Sequence, residues 1–409
     1  MDLRERLDWA FGLTRKAPSP VPSGGEAGLA TLPWGEVTST PHGRCVHVVE
    51  SYPLEYTHGF VALREVLAVQ PRTLGALDAQ ARRPYALPDE LCFLDSETTG
   101  LAGGSGTVPF LVGVGYVTDR SFVIEQFFAR DFDEEPAVLF LACQILRQRP
   151  KWISYNGKAF DAQLLAQRMV FHRLGDLPTP DLHVDLLFAV RRLWKGALAE
   201  CSLGQVEENL LGLRRDGDLP SWLVPRVYFQ YLRDKDPWPL RPVFEHNRAD
   251  ILSLVGLLAI CARTLERPEH APPGTDLRQA ARMLWQRGRY SEAESVLRAA
   301  LDKAATARGR KTLMLELARI YKAERKWPRC VELWHEALRL PGLSLEPYVE
   351  LAKFYEHRAL DLAKAELLTR QALEHLRILA QLHPHPKLTG YRSDLERRLS
   401  RLLRKQGKM

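Results

Sequence analysis

Asp95 and Glu97 stand one residue apart at the end of the apolar run Leu91-Cys92-Phe93-Leu94, ahead of Thr98-Thr99-Gly100-Leu101. The run reads as a buried strand. Alternate strand residues share a face, so both acids point the same way. Carboxylates on one face repel, and they persist together mainly where a cation holds them. Hard oxygen donors of this kind suit Mg²⁺ or Mn²⁺. Acids often end strands, so the pair alone says little; two further segments give it meaning.

In Trp152–Asp161 a strand-like run stops at the turn dipeptide Asn156-Gly157, and helical spacing through Leu164, Leu165 and Arg168 follows. Asp161 then falls in the first turn of a helix. In the third segment, Ile251, Leu254, Val255 and Leu258 give helical spacing. His246 and Asp250, four residues apart, share one face of that helix.

The order Asp-x-Glu, Asn-x-x-x-x-Asp, His-x-x-x-Asp resembles the DnaQ-like (DEDD) 3′–5′ exonucleases of the RNase H-like superfamily. The wording of Asp95–Gly115, Ser154–Asp161, Leu203–Arg215 and His246–Leu254 is similar to the bacterial YprB group, also called mitomycin repair factor B. The resemblance implies that Asp95, Glu97, Asp161 and Asp250 hold two divalent cations, Mg²⁺ or Mn²⁺, and that His246 is the general base. One departure concerns spacing: relatives with a histidine base place it five residues before the last Asp, and those with tyrosine place it four before, as His246 stands here. The chemistry suits these residue types. Two ions about 3.5–4 Å apart serve the attacking water and the leaving oxygen of phosphodiester hydrolysis. An imidazole with an unperturbed pKa near about 6.5 accepts a proton at neutral pH. Thr98, Asn156 and Lys158 flank the acids as candidate contacts to the sugar–phosphate backbone. The resemblance favours DNA over RNA as partner, a role in repair, and a helicase or other repair protein docked on the carboxy-terminal repeats.

The elements that must position these groups form an α/β RNase H-like domain: a mixed five-stranded sheet flanked by helices, expected over 88–265. Thr107–Val117 and Ser121–Phe128 are strand candidates after the Asp95 strand, and Glu135–Arg147 is a helix. Before it, 1–87 holds a helix over 1–16, the Pro18–Gly28 linker and a small β-containing extension. The glycine-rich Gly100–Gly106 lacks Gly-Lys-Ser/Thr and reads as a hairpin loop beside the acids rather than a phosphate cradle. Asp185 is either an accessory acid or a helix cap. Arg191, Arg192, Trp194 and Lys195 either follow a nucleic-acid strand or form the solvated face of an amphipathic helix. After a linker over 266–276 the pattern changes. Small residues at Ala293, Cys330 and Ala365 step at close to the 34-residue period of tetratricopeptide repeats. The remainder, 277–409, is thus expected to be an all-α, tetratricopeptide-like helical repeat domain ending in a basic helix.

With 409 residues, 45% of them hydrophobic, the chain has room for two or three cores. No run of about eighteen apolar residues occurs, so no membrane partner is expected. The six cysteines form no Cys-x-x-Cys pair and suit a reducing, cytoplasmic setting. His42, His47 and His58 lack metal-like partners. Of the formal +7 charge, 387–409 contributes +6, from eight Lys/Arg against two Asp/Glu, leaving +1 elsewhere. Basicity therefore marks a tail, which either caps the repeats or touches nucleic acid. Besides the exonuclease, two alternatives are consistent with the sequence: a repeat scaffold with a degenerate nuclease domain, and a structure-specific endonuclease or RNase.

Overall fold

The computed structural model describes residues 32–78, 80–81, 85–100, 106–382 and 387–408. The expected helix over 1–16, the Pro18–Gly28 linker and the interior of the Gly100–Gly106 loop lie outside the described residues. The chain divides into two compact units, Met1–Asp276 and Leu277–Met409.

The first unit is built on strands β1 (Glu36–Thr40), β2 (Gly43–Pro53), the short pair β3 (Thr57–His58) and β4 (Val61–Ala62), and then β5 (Leu91–Thr98), β6 (Pro109–Val117), β7 (Ser121–Phe128), β8 (Lys151–Ser154) and β9 (Leu182–Asp185). Its helices are α1 (Pro71–Leu77), α2 (Glu135–Gln148), α3 (Asp161–Phe171), α4 (Leu186–Trp194), the short α5 (Leu203–Val206), α6 (Val224–Asp234) and α7 (Arg241–Glu266). The main sheet runs β1-β2-β7-β6-β5-β8-β9. β5, β6 and β7 form an antiparallel meander, while β8 and β9 join β5 in parallel. This is a mixed sheet of the RNase H-like kind over β7-β6-β5-β8-β9. β1 and β2 lengthen it at the β7 edge, because Val46 and Val48 on β2 bury their side chains in the same core.

Both faces of the sheet are covered. On one, Cys92, Leu94, Val112 and Phe127 pack with Leu139 and Leu146 of α2 and Leu165 and Met169 of α3. On the other, Phe110, Leu111 and Phe128 pack with Val227, Tyr228 and Tyr231 of α6 and Phe244 of α7. A fully buried side chain of this size contributes roughly 1.5–3 kcal/mol, so both layers are strongly tied to the sheet. Every residue from Ile251 to Ala262 of α7 is buried, as expected of a helix apolar all round. Such burial needs a close approach to the sheet, and glycines in β6 permit it. A Cβ on Gly113 would fall 2.1 Å from Asn247 Oδ1 and 2.6 Å from Ile251 Cδ1; one on Gly115 would fall 2.6 Å from Ile251 Cγ2.

The second unit contains helices α8 (Leu277–Gln286), α9 (Tyr290–Asp302), α10 (Ala307–Ala323), α11 (Trp327–Arg339), α12 (Glu346–His357), α13 (Leu362–Leu382) and α14 (Lys387–Lys405). The first six form three consecutive antiparallel pairs. Ala293, Cys330 and Ala365 are fully buried where helices meet. Each pair turns through one left-handed residue, Gly288 (φ 70°), Arg325 (φ 59°) and Leu360 (φ 56°). Only the first is glycine; the other two accept a cost of about 1–2 kcal/mol. Arg398, Arg401 and Lys405 of α14 converge on Glu356, whose side chain is fully buried. Lys408 pairs with Glu366. The basic tail thus turns much of its charge onto its own domain.

Candidate active site

β5 is the central strand of the RNase H-like sheet, flanked by β6 and β8, and it carries Asp95, Glu97 and Thr98. α7 lies across β5 and β6 and brings His246, Asn247 and Asp250. The Asn247 side chain, wholly buried, donates to Asp95 Oδ2 at 2.8 Å and to its carbonyl at 3.3 Å. Gln126 of β7 holds Asn247 in turn, donating to its Oδ1 at 2.8 Å. A relay of buried amides therefore fixes the first acid. Asp161 opens α3, where Asn156, at φ 64°, makes the turn that β8 needs before the helix starts. The nearest partner of Asp161 is Ser96, whose hydroxyl donates to Asp161 Oδ1. Asp185 caps α4 and also accepts from the backbone N–H of Asn156 (2.8 Å) and Lys158 (3.2 Å). It therefore organises the loop that presents Asp161.

His246 is held on both ring nitrogens. Nδ1 lies 2.9 and 3.0 Å from the two Asp218 carboxylate oxygens. Nε2 lies 3.4 Å from Ser221 Oγ and 3.7 Å from Asp250 Oδ2. Arg215 completes the cluster, bridging Asp250 at 2.6 Å, Asp218 at 3.3 Å and Glu207.

The electrostatics show what this packing costs. Burial above all, then Asp250, Glu97 and Asp161, hold the Asp95 carboxyl well above the usual range. Burial, with Asp250 and Asp161 adding and His246 opposing, pushes Glu97 up to about 7. Burial raises Asp161 to about 6 against its hydrogen bonds from Ser96. Burial alone would lower His246, but Asp250, the Asp218 hydrogen bond and Glu97 together raise it to about 10. Acids and imidazole all shifted upward mark a cluster with excess negative charge. Its donors are hard carboxylate oxygens, which fit Mg²⁺ or Mn²⁺, and a cation among them would relieve the repulsion. Among the described residues, however, no three Asp, Glu, His or Cys side chains stand close enough to cage an ion. Arg215 neutralises Asp250 and would have to yield to an ion there, whereas Ser96 occupies only Oδ1 of Asp161 and leaves its other oxygen open.

Of the expected nucleic-acid contacts, Thr98 donates its hydroxyl to the Gly100 carbonyl at 2.8 Å. Asn156 is exposed. The Lys158 ammonium lies 2.7 Å from Asp78. Asp218, Asn247, Arg215 and Ser96 were not predicted. Asn247 carries a signal, since it is a polar residue on the apolar side of a helix. Asp218 carries none, being 28 residues from the ring it touches.

Comparison with known proteins places this domain. Residues 92–261 match the family profile described as RNase_H superfamily, so this stretch is a domain of a nuclease superfamily whose members generally use divalent ions. The chain is also 30% identical over 338 residues, 81% of its length and 80% of the relative's, to YprB, an uncharacterized protein of Bacillus subtilis (strain 168). It belongs to the YprB family. Among the described residues no helix is long and apolar enough to cross a membrane.

Proposed function

We propose that this chain is a metal-dependent 3′–5′ exonuclease of the DEDD type, acting on DNA in repair. The observation that carries the reading is the group of buried, mutually repelling carboxylates on and around β5, with a histidine on α7 whose Nδ1 is anchored and whose Nε2 faces them. Asp95, Glu97, Asp161 and Asp250 would hold two divalent ions, Mg²⁺ or Mn²⁺, which supply charge neutralisation at the attacking water and the leaving oxygen. Asn247 orients Asp95, and Ser96 orients Asp161. Asp218 holds Nδ1 so that Nε2 is the atom available to take a proton from water. Asn156 is the candidate backbone contact left open; Thr98 and Lys158 would serve only after releasing Gly100 and Asp78. The paired helices of the second unit, read as tetratricopeptide-like, would dock a helicase or another repair protein.

Arg215 on Asp250 is the observation favouring the second reading, a repeat scaffold whose nuclease domain is silent. Digestion of DNA and RNA labelled at either end, single- and double-stranded, with Mg²⁺ or Mn²⁺ separates the two. Stepwise loss of 3′ nucleotides supports the exonuclease; internal cuts assign an endonuclease. No hydrolysis under any of these conditions leaves the scaffold.

A further inference from the structure

The basic residues that composition singles out lie in α14 and just after it, but much of their charge is spent: Arg398, Arg401 and Lys405 on Glu356, Lys408 on Glu366, Arg392 on Glu396 and Arg397 on Asp394. α4 differs. Its sequence, Leu186-Leu187-Phe188-Ala189-Val190-Arg191-Arg192-Leu193-Trp194, has no acid. Leu186, Val190, Leu193 and Trp194 are buried, and the Trp194 indole donates to Thr275 at 2.8 Å. Phe188, Arg191, Arg192 and Lys195 are exposed. They fall at i, i+3, i+4 and i+7, which makes one stripe along the helix. Phe188 keeps 46% of its surface exposed. None of the three cations has an ion pair among the described residues, and together with the exposed ring they form one unpaired stripe.

The stripe begins three residues beyond Asp185, the residue that holds the loop leading to the candidate active site. α4 starts at Asp185, the carboxylate that accepts the Asn156 and Lys158 N–H groups in the loop leading to Asp161. At 1.5 Å per residue, Arg191 stands about 9 Å along the helix from that cap. Cations at a helix C-terminus also suit the macrodipole, but the dipole gives no reason to leave a phenylalanine exposed beside them. An aromatic face interleaved with unpaired cations is what a single strand requires, bases stacking on the ring and phosphates meeting the charges.

We infer that the solvent face of α4, with Phe188, Arg191, Arg192 and Lys195, is the track on which a single nucleic-acid strand runs into the site. The inference rests on the nuclease reading for its direction but not for its test. Binding of the full-length chain to a fluorescent single-stranded oligonucleotide is measured in Ca²⁺ across a salt series, for the unmodified protein, for Arg191→Gln/Arg192→Gln/Lys195→Gln, for Phe188→Ala, and for Arg404→Gln in α14. The triple variant is expected to bind about tenfold more weakly or worse, with the slope of log Kd against log salt lowered by roughly 2, from three lost contacts at about 0.7 each for a single strand. Phe188→Ala is expected to weaken binding with the slope kept, and Arg404→Gln to leave both unchanged. Turnover of a nucleoside 5′-(p-nitrophenyl phosphate), too short to reach α4, is expected to be the same in the triple variant and the unmodified chain. An unchanged slope in the triple variant overturns the track. Unchanged single-strand affinity in Phe188→Ala overturns the single-strand assignment. Absence of ester turnover in the unmodified chain, with oligonucleotide binding that the triple variant weakens as expected, counts against the nuclease reading and leaves the track standing.

Discussion

Replacing Glu97 by glutamine keeps the shape of the side chain and removes one charge from the buried cluster. Glu97 is raised from 4.5 to about 7 by burial and by Asp250 and Asp161. A carboxyl whose folded pKa exceeds its unfolded value destabilises the fold when it ionises. The penalty is absent below about 4.5, grows between the two values and is complete above about 7. A shift of two to three units at about 1.4 kcal/mol each sets it at ~3 kcal/mol. In a domain of this size that corresponds to about 6–12 °C in Tm. Glu97→Gln should therefore melt higher than the unmodified protein at pH 8 in EDTA, and the difference should vanish near pH 4.5. With saturating Mg²⁺ or Mn²⁺ the order should reverse, because the native cluster gains more from the ion, and hydrolysis should be lost. Calorimetry suits the question, since the transition that responds to the ion can be followed apart from that of the repeat unit. A variant less stable than the unmodified chain in EDTA at pH 8, or a difference independent of pH, would refute the reasoning.

Asp95→Ala or Asp161→Ala should abolish hydrolysis while ion-free stability holds or rises; native-like turnover at saturating ion would remove both from the ligand set. His246→Ala should lower turnover by about 10²–10⁴ with little change in affinity. Asp218→Asn should lower it by roughly 10–100-fold through a misdirected ring, and both effects are read from kcat and KM with their pH profiles. The His246 imidazole should titrate near 10 in EDTA and at lower pH once Mg²⁺ screens the carboxylates, as proton NMR would record; a value insensitive to Mg²⁺ argues against an ion beside it. Deleting 387–409 strips Glu356 of three cationic partners and removes the buried Leu395 and Leu402, a loss of about 3–6 kcal/mol in apolar burial. Helical melting should fall while the salt slope of nucleic-acid binding stays; the opposite pattern would assign the tail to phosphate contact.

Much of the site was legible in the sequence because local rules govern its parts. Alternation put Asp95 and Glu97 on one strand face, the Asn156-Gly157 turn put Asp161 at a helix start, and a four-residue step put His246 and Asp250 on one helix face. Each depends on a few adjacent residues. The helix pairs of the second unit were legible for the same reason, through small residues that recur where helices must touch. What needed the tertiary structure is contact between distant segments. Nothing local joins Asp218 to His246, Gln126 through Asn247 to Asp95, or Arg215 to Asp250; those pairs exist because Gly113 and Gly115 let α7 lie against β6. The charge of the tail was plain in the composition, but its destination was not. A formal charge says how many cations a segment holds, while the fold decides which of them find an acid: in the tail several close on Glu356 and Glu366, whereas in α4 three remain facing solvent.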